Sequence, residues 1–144
     1  MVRQINFDMD GTIANLYGVE NWLEYLMAQD ETPYATAQPL LNLSALAKVL
    51  NRLQREGYTL CIISWLAKTT TPAYDIAVTN AKIQWLAKRL PSVKWDMINI
   101  VPYGTPKQTL GQGILFDDEA PNRKAWGEGA YDVDNIIEIL KNLK

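Results

Sequence analysis

At 144 residues the chain is long enough for one domain with a real core and little more, and a hydrophobic fraction of 48% argues against disorder. Acidic and basic residues number 16 and 14, for a formal charge of −2 and a pI near 5.1; the basic surplus of an electrostatic nucleic-acid binder is missing, although a local basic groove stays open. The chain contains no histidine, which excludes Ser-His-Asp and Cys-His catalysis and imidazole-built zinc sites, and leaves any chemistry to carboxylates, Lys, Ser/Thr, Tyr or an oxygen-bound metal.

Residues 2–8 read as a buried first strand, and Asp8-Met9-Asp10-Gly11-Thr12 stands where it ends. A helix is predicted around residues 18–28, with Val19, Trp22, Leu23 and Leu26 on one face. Residues 30–39 are polar and hold two prolines, so a loop is predicted there. Leu46, Val49, Leu50 and Leu53 follow helical spacing, with Gly57 as a C-terminal cap. Residues 58–64 form a second buried strand; the single cysteine, Cys61, lies within it and reads as a structural thiol, with no disulfide available inside one chain.

A turn over residues 69–72 starts a helix with Pro72 near its first position, and Ile83, Leu86, Ala87 and Leu90 supply an apolar face that stops at Pro91. Residues 97–101 are a short strand, followed by a loop carrying Pro102, Gly104 and Pro106. Residues 113–117 are another buried strand, 120–126 a short helix, and 130–133 an edge strand. Asp134 is expected to cap a final helix that buries Ile136, Ile137 and Leu140. No repeat or low-complexity segment interrupts this alternation. It implies an α/β, three-layer, Rossmann-like fold: a mostly parallel five-stranded sheet with helices on both faces, as a single domain over residues 1–144. The N-terminal stretch lacks a charged n-region and a long apolar h-region, and no apolar run approaches the roughly 20 residues of a membrane span. A cytoplasmic location without membrane partners is the expectation.

In a parallel sheet all strand ends share one edge, and ligands bind there. Asp8 and Asp10 end the first strand, Ser64 the second, and Asp117 and Asp118 the fourth, with Glu119 next; Lys107 precedes that last strand. Each has a plain structural alternative: an Asp-Gly turn, a capping serine, a solvated loop lysine, an acidic helix N-terminus. Together they are chemically coherent. Several carboxylates at one edge repel each other unless a divalent cation sits among them, and Mg2+ takes oxygen ligands. A phosphate ester brought to that cation needs a hydroxyl and an ammonium on its remaining oxygens, which Ser64 and Lys107 can supply. An EF-hand is excluded because Gly11 stands at the fourth loop position rather than the sixth. The Gly-x-x-x-x-Gly-Lys phosphate loop is absent, and Gly111-Gln112-Gly113 is too short for a dinucleotide fingerprint.

Over nearly its whole length the chain resembles the haloacid dehalogenase (HAD) superfamily of phosphohydrolases. The resemblance rests on Asp8-Met9-Asp10-Gly11-Thr12, then Ser64 after an apolar strand, then Lys107, then Phe116-Asp117-Asp118. It implies that Asp8 is the nucleophile and Asp10 the general acid and base. The Asp8 carboxylate, the Asp10 main-chain carbonyl and Asp117 would hold Mg2+, with Asp118 supporting that shell. Ser64 and Lys107, with Gly11 and Thr12 at the turn, would grip the phosphoryl group. An aspartate at the position of Asp10 is what phosphatases of the superfamily carry and the dehalogenases lack.

The match is closer to the 5′(3′)-deoxyribonucleotidase branch. Ala81-Lys82-Ile83-Gln84-Trp85-Leu86 followed by Leu90-Pro91 resembles its helix after the second motif, and Asn122 and Trp126 follow the last motif as in that branch. Lys82 would then face the phosphate, the alternative being an exposed helix lysine. That branch carries a helical cap between the first and second motifs; here only a minimal cap or loop insertion, within residues 15–43, has room. Trp65 and Tyr17, with Trp22, Tyr25 and Tyr34, are candidate substrate contacts, with core or rim packing as the alternative for each. The implied activity is Mg2+-dependent hydrolysis of phosphate monoesters through an aspartyl-phosphate, on nucleotides such as deoxynucleotides or on other small phosphometabolites. A phosphatase for nucleic-acid ends and a non-catalytic binding module are the alternatives, and a homo-oligomer that covers the site is also open.

Overall fold

The computed structural model describes residues 2–144. Five strands form its main sheet: β1 (Gln4–Phe7), β4 (Thr59–Trp65), β5 (Met97–Val101), β6 (Ile114–Phe116) and β7 (Ala130–Tyr131), in the order β5-β4-β1-β6-β7 and parallel throughout. A two-stranded antiparallel ribbon, β2 (Ala14–Asn15) with β3 (Gln38–Pro39), stands apart from it. The helices are α1 (Trp22–Met27), α2 (Thr32–Thr36), α3 (Leu43–Arg55), α4 (Pro72–Arg89), α5 (Ala120–Trp126) and α6 (Ile136–Lys141). The arrangement is the expected α/β Rossmann-like one. Among the described residues no helix is long and apolar enough to cross a membrane.

β1 is the central strand, and its register explains the core. Ile5 is level with Leu60 and Ile114, and Phe7 with Ile62 and Phe116, so these six side chains form rows on one face of the sheet. Phe7 and Phe116 stack with ring centroids 5.3 Å apart. Leu46, Val49, Leu50 and Leu53 of α3 and Ile136 and Leu140 of α6 complete that cluster. The alternate strand residues Cys61, Ile63 and Leu115 are buried as well, as a sheet covered on both faces requires. α3 ends as its sequence predicts, with Gly57 following the last turn at φ +98°, and its start is capped by Asn42, whose Oδ1 accepts from the Ala45 amide.

Four elements depart from expectation. Residues 30–39 contain α2 and β3 rather than a loop. Asp30 accepts from both the amide and the hydroxyl of Thr32, and Pro33 then suits the first turn because its missing N–H would have no partner there. The helix predicted over 18–28 is only the six residues of α1 after a 3-10 turn (Leu16–Gly18); none of its side chains is fully buried and Leu23 faces solvent. α4 is a single helix of 18 residues, capped by the Thr71 hydroxyl, whose inner face is Tyr74, Val78, Ala81, Lys82, Trp85 and Leu86 rather than the face of Ile83 and Ala87. The final helix is preceded by a 3-10 turn (Val133–Asn135) capped by Asp132, not Asp134, because Asp132 Oδ1 accepts from the Val133 amide; Ile137 is only partly buried.

Candidate active site

The carboxyl ends of β1, β4 and β6 meet at one edge. The Asp8 amide donates to the Phe116 carbonyl at 2.9 Å, extending the ladder one residue past β1 and fixing Asp8 beside Asp117. The chain then winds tightly: the amides of Thr12, Ile13 and Ala14 all donate to the Met9 carbonyl. Gly11 is required in this turn twice over. Its φ is +82°, and a Cβ there would lie 2.3 Å from Asp118 Oδ2. Gly11→Ala is therefore expected to cost about 1–3 kcal/mol in a thermal melt, or to push Asp118 aside, which would show as weaker Mg2+ stabilisation; an unchanged melt with unchanged Mg2+ response would contradict this role.

Asp8, Asp117 and Asp118 each present a carboxylate oxygen within 4.8 Å of the others. Lys107 Nζ bridges Asp8 Oδ1 at 2.9 Å and Asp117 Oδ2 at 2.8 Å. The other Asp8 oxygen accepts from the Thr12 hydroxyl at 3.0 Å. Asp117 is further held by the Glu119 amide and by Asn122 Nδ2 at 3.1 Å. Across the turn, Lys82 Nζ pairs with Asp10 Oδ2 at 3.1 Å and donates to Ser64 Oγ at 2.7 Å.

The electrostatics follow from crowding and burial. Burial pushes the Asp117 carboxyl up, the Asp8 charge adds to it, and Lys107 opposes both. Burial, then a hydrogen bond and charge from Asp8, push Asp118 up to about 8. For Lys107, burial acts downward, but the two carboxylates outweigh it and the ammonium is held above its ordinary range. Burial and Asp10 push the Tyr17 and Tyr34 phenols up, so both remain neutral donors.

Fully ionised, the four carboxyls (Asp8, Asp10, Asp117, Asp118) would outnumber the two ammonium groups (Lys82, Lys107) by two charges, an excess that the raised Asp118 carboxyl relieves by holding a proton near neutral pH. That excess, on hard oxygen donors gathered at one point, fits a single Mg2+ held by Asp8, Asp117 and Asp118. The Asp10 carboxylate lies outside this trio, so only its main chain remains available as a ligand.

Above the carboxylates lies a cleft of about 350 Å3. Tyr17 and Trp22, edge to face at 5.1 Å, line it together with Tyr34; Trp65 and Tyr103, 4.9 Å apart, line it as a second pair. These walls bring the segment after β1 and the loops after β4 and β5 to the same opening.

The comparisons with known proteins bear on the fold. No protein-family model matches the chain, and no curated protein does. Two solved enzymes share its architecture. One is a D,D-heptose 1,7-bisphosphate phosphatase from Burkholderia thailandensis, 13% identical with a TM-score of 0.59 over 97% of each chain. The other is a D,D-heptose 1,7-bisphosphate phosphatase from B. bronchiseptica complexed with magnesium and phosphate, 11% identical with a TM-score of 0.57, again over 97% of each chain.

Of the residues singled out from the sequence, Asp8, Thr12, Lys107, Asp117 and Asp118 form one contact set around the Gly11 turn, and Asp10, Lys82 and Ser64 a second; Asp8, Asp10, Lys107 and Asp118 line the cleft, whereas Ser64 and Lys82 do not. Lys82 is buried against Ser64 rather than exposed on its helix. Trp65 both packs and faces the cleft; its indole N–H donates to the Thr105 carbonyl at 2.8 Å. Tyr17 is half exposed at the rim. Sequence reasoning missed Tyr103 and Lys68 as cleft residues. Tyr103 directly follows Val101 and Pro102 at the end of β5, so the rule that loops after parallel strands line the site would have found it.

Proposed function

We propose that this chain is a phosphatase of the haloacid dehalogenase superfamily that hydrolyses phosphate monoesters with Mg2+. The observation that carries the reading is the trio of buried Asp8 and Asp117 with half-buried Asp118 at the carboxyl edge of a parallel sheet, with Lys107 between the first two. The likeness in fold to a phosphatase solved with magnesium and phosphate supports it. Bound among these carboxylates, Mg2+ supplies positive charge to the phosphoryl oxygens.

Asp8 attacks phosphorus and the bond to the ester oxygen breaks, leaving an aspartyl-phosphate. Asp10 gives its proton to the departing oxygen, then takes one from the water that attacks the phosphoenzyme; the bond from phosphorus to Asp8 breaks and phosphate leaves. Ser64, Lys107, Lys82 and the Gly11-Thr12 turn hold the phosphoryl oxygens. Residues 15–43 act as a minimal cap, placing Tyr17, Trp22 and Tyr34 over the cleft. A flat leaving group suits walls made of two aromatic pairs, which favours a nucleotide, and a deoxynucleotide in line with the branch resemblance.

The test is phosphate release from a panel of phosphate esters that includes deoxynucleoside monophosphates. Turnover should require Mg2+ and fall at least ~100-fold in excess EDTA. Turnover that survives chelation, or none on any ester, would refute the activity. A preference for alkyl sugar phosphates over nucleotides would refute the substrate class alone.

A further inference from the structure

Lys82 is the most deeply hidden cation of the site, 1% exposed although it sits on the long helix α4. Its ammonium has three donors and meets three acceptors: Ser64 Oγ at 2.7 Å, the Trp65 carbonyl at 2.8 Å and Asp10 Oδ2 at 3.1 Å. The ring of Tyr34 covers it at 5.1 Å. Lys107 makes no ion pair with Asp10; its two pairs are with Asp8 and Asp117. The two buried lysines therefore divide the acids between them, one serving the nucleophile's side and the other the proton carrier's.

We propose that Lys82 is a positioning residue that acts through Asp10. It fixes the Asp10 carboxyl toward the leaving oxygen, and it hands its charge to the incoming phosphoryl group through the Ser64 end of the same ammonium. This rests on the phosphomonoesterase reading above. The geometry requires little motion, because one nitrogen already touches both Ser64 and Asp10. The ion pair with Lys82 is made by the carboxylate form of Asp10, the form that accepts a proton from water. The phosphoryl dianion meets the ammonium at its Ser64 side while the contact with Asp10 Oδ2 is kept, so the carboxyl stays oriented as it carries that proton to the next leaving oxygen. Lys82 itself gains and loses no proton, and each turnover returns Asp10 to its starting state.

The test compares kcat/KM, which reports formation of the phosphoenzyme, for an alkyl phosphate and for p-nitrophenyl phosphate. The second has a leaving group that departs without help from an acid. In Lys82→Met the alkyl ester should lose ~100-fold or more and p-nitrophenyl phosphate less than ~10-fold, because general acid catalysis contributes about 10²–10⁴-fold. Asp10→Asn should show the same split, and adding Lys82→Met to it should cost both esters the same factor of less than ~10-fold, since only the charge on the phosphoryl group is then left to lose. Lys82→Gln keeps a donor for Ser64 and the Trp65 carbonyl without the charge, and serves if the Met variant melts at assay temperature. Equal losses on both esters in Lys82→Met alone, or additive losses in the double variant, would overturn the proposal while leaving the phosphatase reading in place. A wild-type protein that turns over neither ester would overturn both, since Lys82 would then have no reaction to serve.

Discussion

Asp8→Asn is expected to remove turnover and keep the fold. The expected loss is ~10⁴-fold or more, the scale seen when a hydrolase loses its nucleophile. The asparagine retains an oxygen to accept from the Thr12 hydroxyl, and the backbone bond from the same residue's amide to the Phe116 carbonyl is unaffected. The charge balance of the fold changes little, because two opposing effects meet at this residue. Asp8 attracts Lys107 at 2.9 Å but repels Asp117 and Asp118, whose carboxyls its presence pushes upward. Its removal should therefore shift the metal-free melting temperature by only a few degrees. The same substitution takes one ligand from the trio, so Mg2+ should stabilise the variant much less than the wild type. Calorimetric melts with and without Mg2+, beside the phosphate-release assay, check all three statements. A variant that still turns over substrate at a tenth of the wild-type rate would remove Asp8 from the role of nucleophile.

How much of this was legible in the sequence depends on whether a residue's local pattern agrees with its final environment. Asp8 and Asp117 follow apolar runs, so the strands and their polar ends could be read directly, and parallel topology alone then brings them together. α4 shows the opposite case. Hydrophobic periodicity puts Ile83 inside and Lys82 outside, whereas Lys82 is buried and Ile83 is exposed. The helix is phased to deliver an ammonium to Ser64 and Asp10, and a local rule fails where the site demands it. α2 was hidden for another reason. Its two features, an Asp-Thr turn and a proline in the first turn, are shared by loops and helix starts, and only the packing of Tyr34 against the inner face of α4 decides between them. The terminal cap differs by two residues, Asp132 for Asp134, a choice made by a 3-10 turn that periodicity does not register. The aromatic walls were partly legible: Tyr17, Trp22, Tyr34 and Trp65 face the cleft as candidates, while Tyr25 is not among its lining residues.

Lys107→Met carries the largest expected cost to stability. Lys107 is 3% exposed and is the only cation paired with Asp8 and Asp117 among the described residues, and those two acids are themselves 7% and 0% exposed. Methionine fills the same space but leaves two buried carboxylates facing each other. Breaking a buried ion pair from one side costs about 3–5 kcal/mol, because the remaining charge is neither solvated nor paired. In a chain of this size that is a fall of more than ~10 °C in melting temperature. The loss should not be permanent. A divalent cation bound by the same carboxylates compensates them as the ammonium did, so Mg2+ should restore more of the melting temperature in Lys107→Met than it adds to the wild type. Na+ at equal ionic strength should not, since screening acts weakly on buried charges. Activity should stay low even in saturating Mg2+, because the lysine proposed to grip the phosphoryl oxygens is gone. A variant as stable as the wild type without metal would mean that the two carboxylates share a proton instead of relying on Lys107, and the charge balance of the site would have to be redrawn.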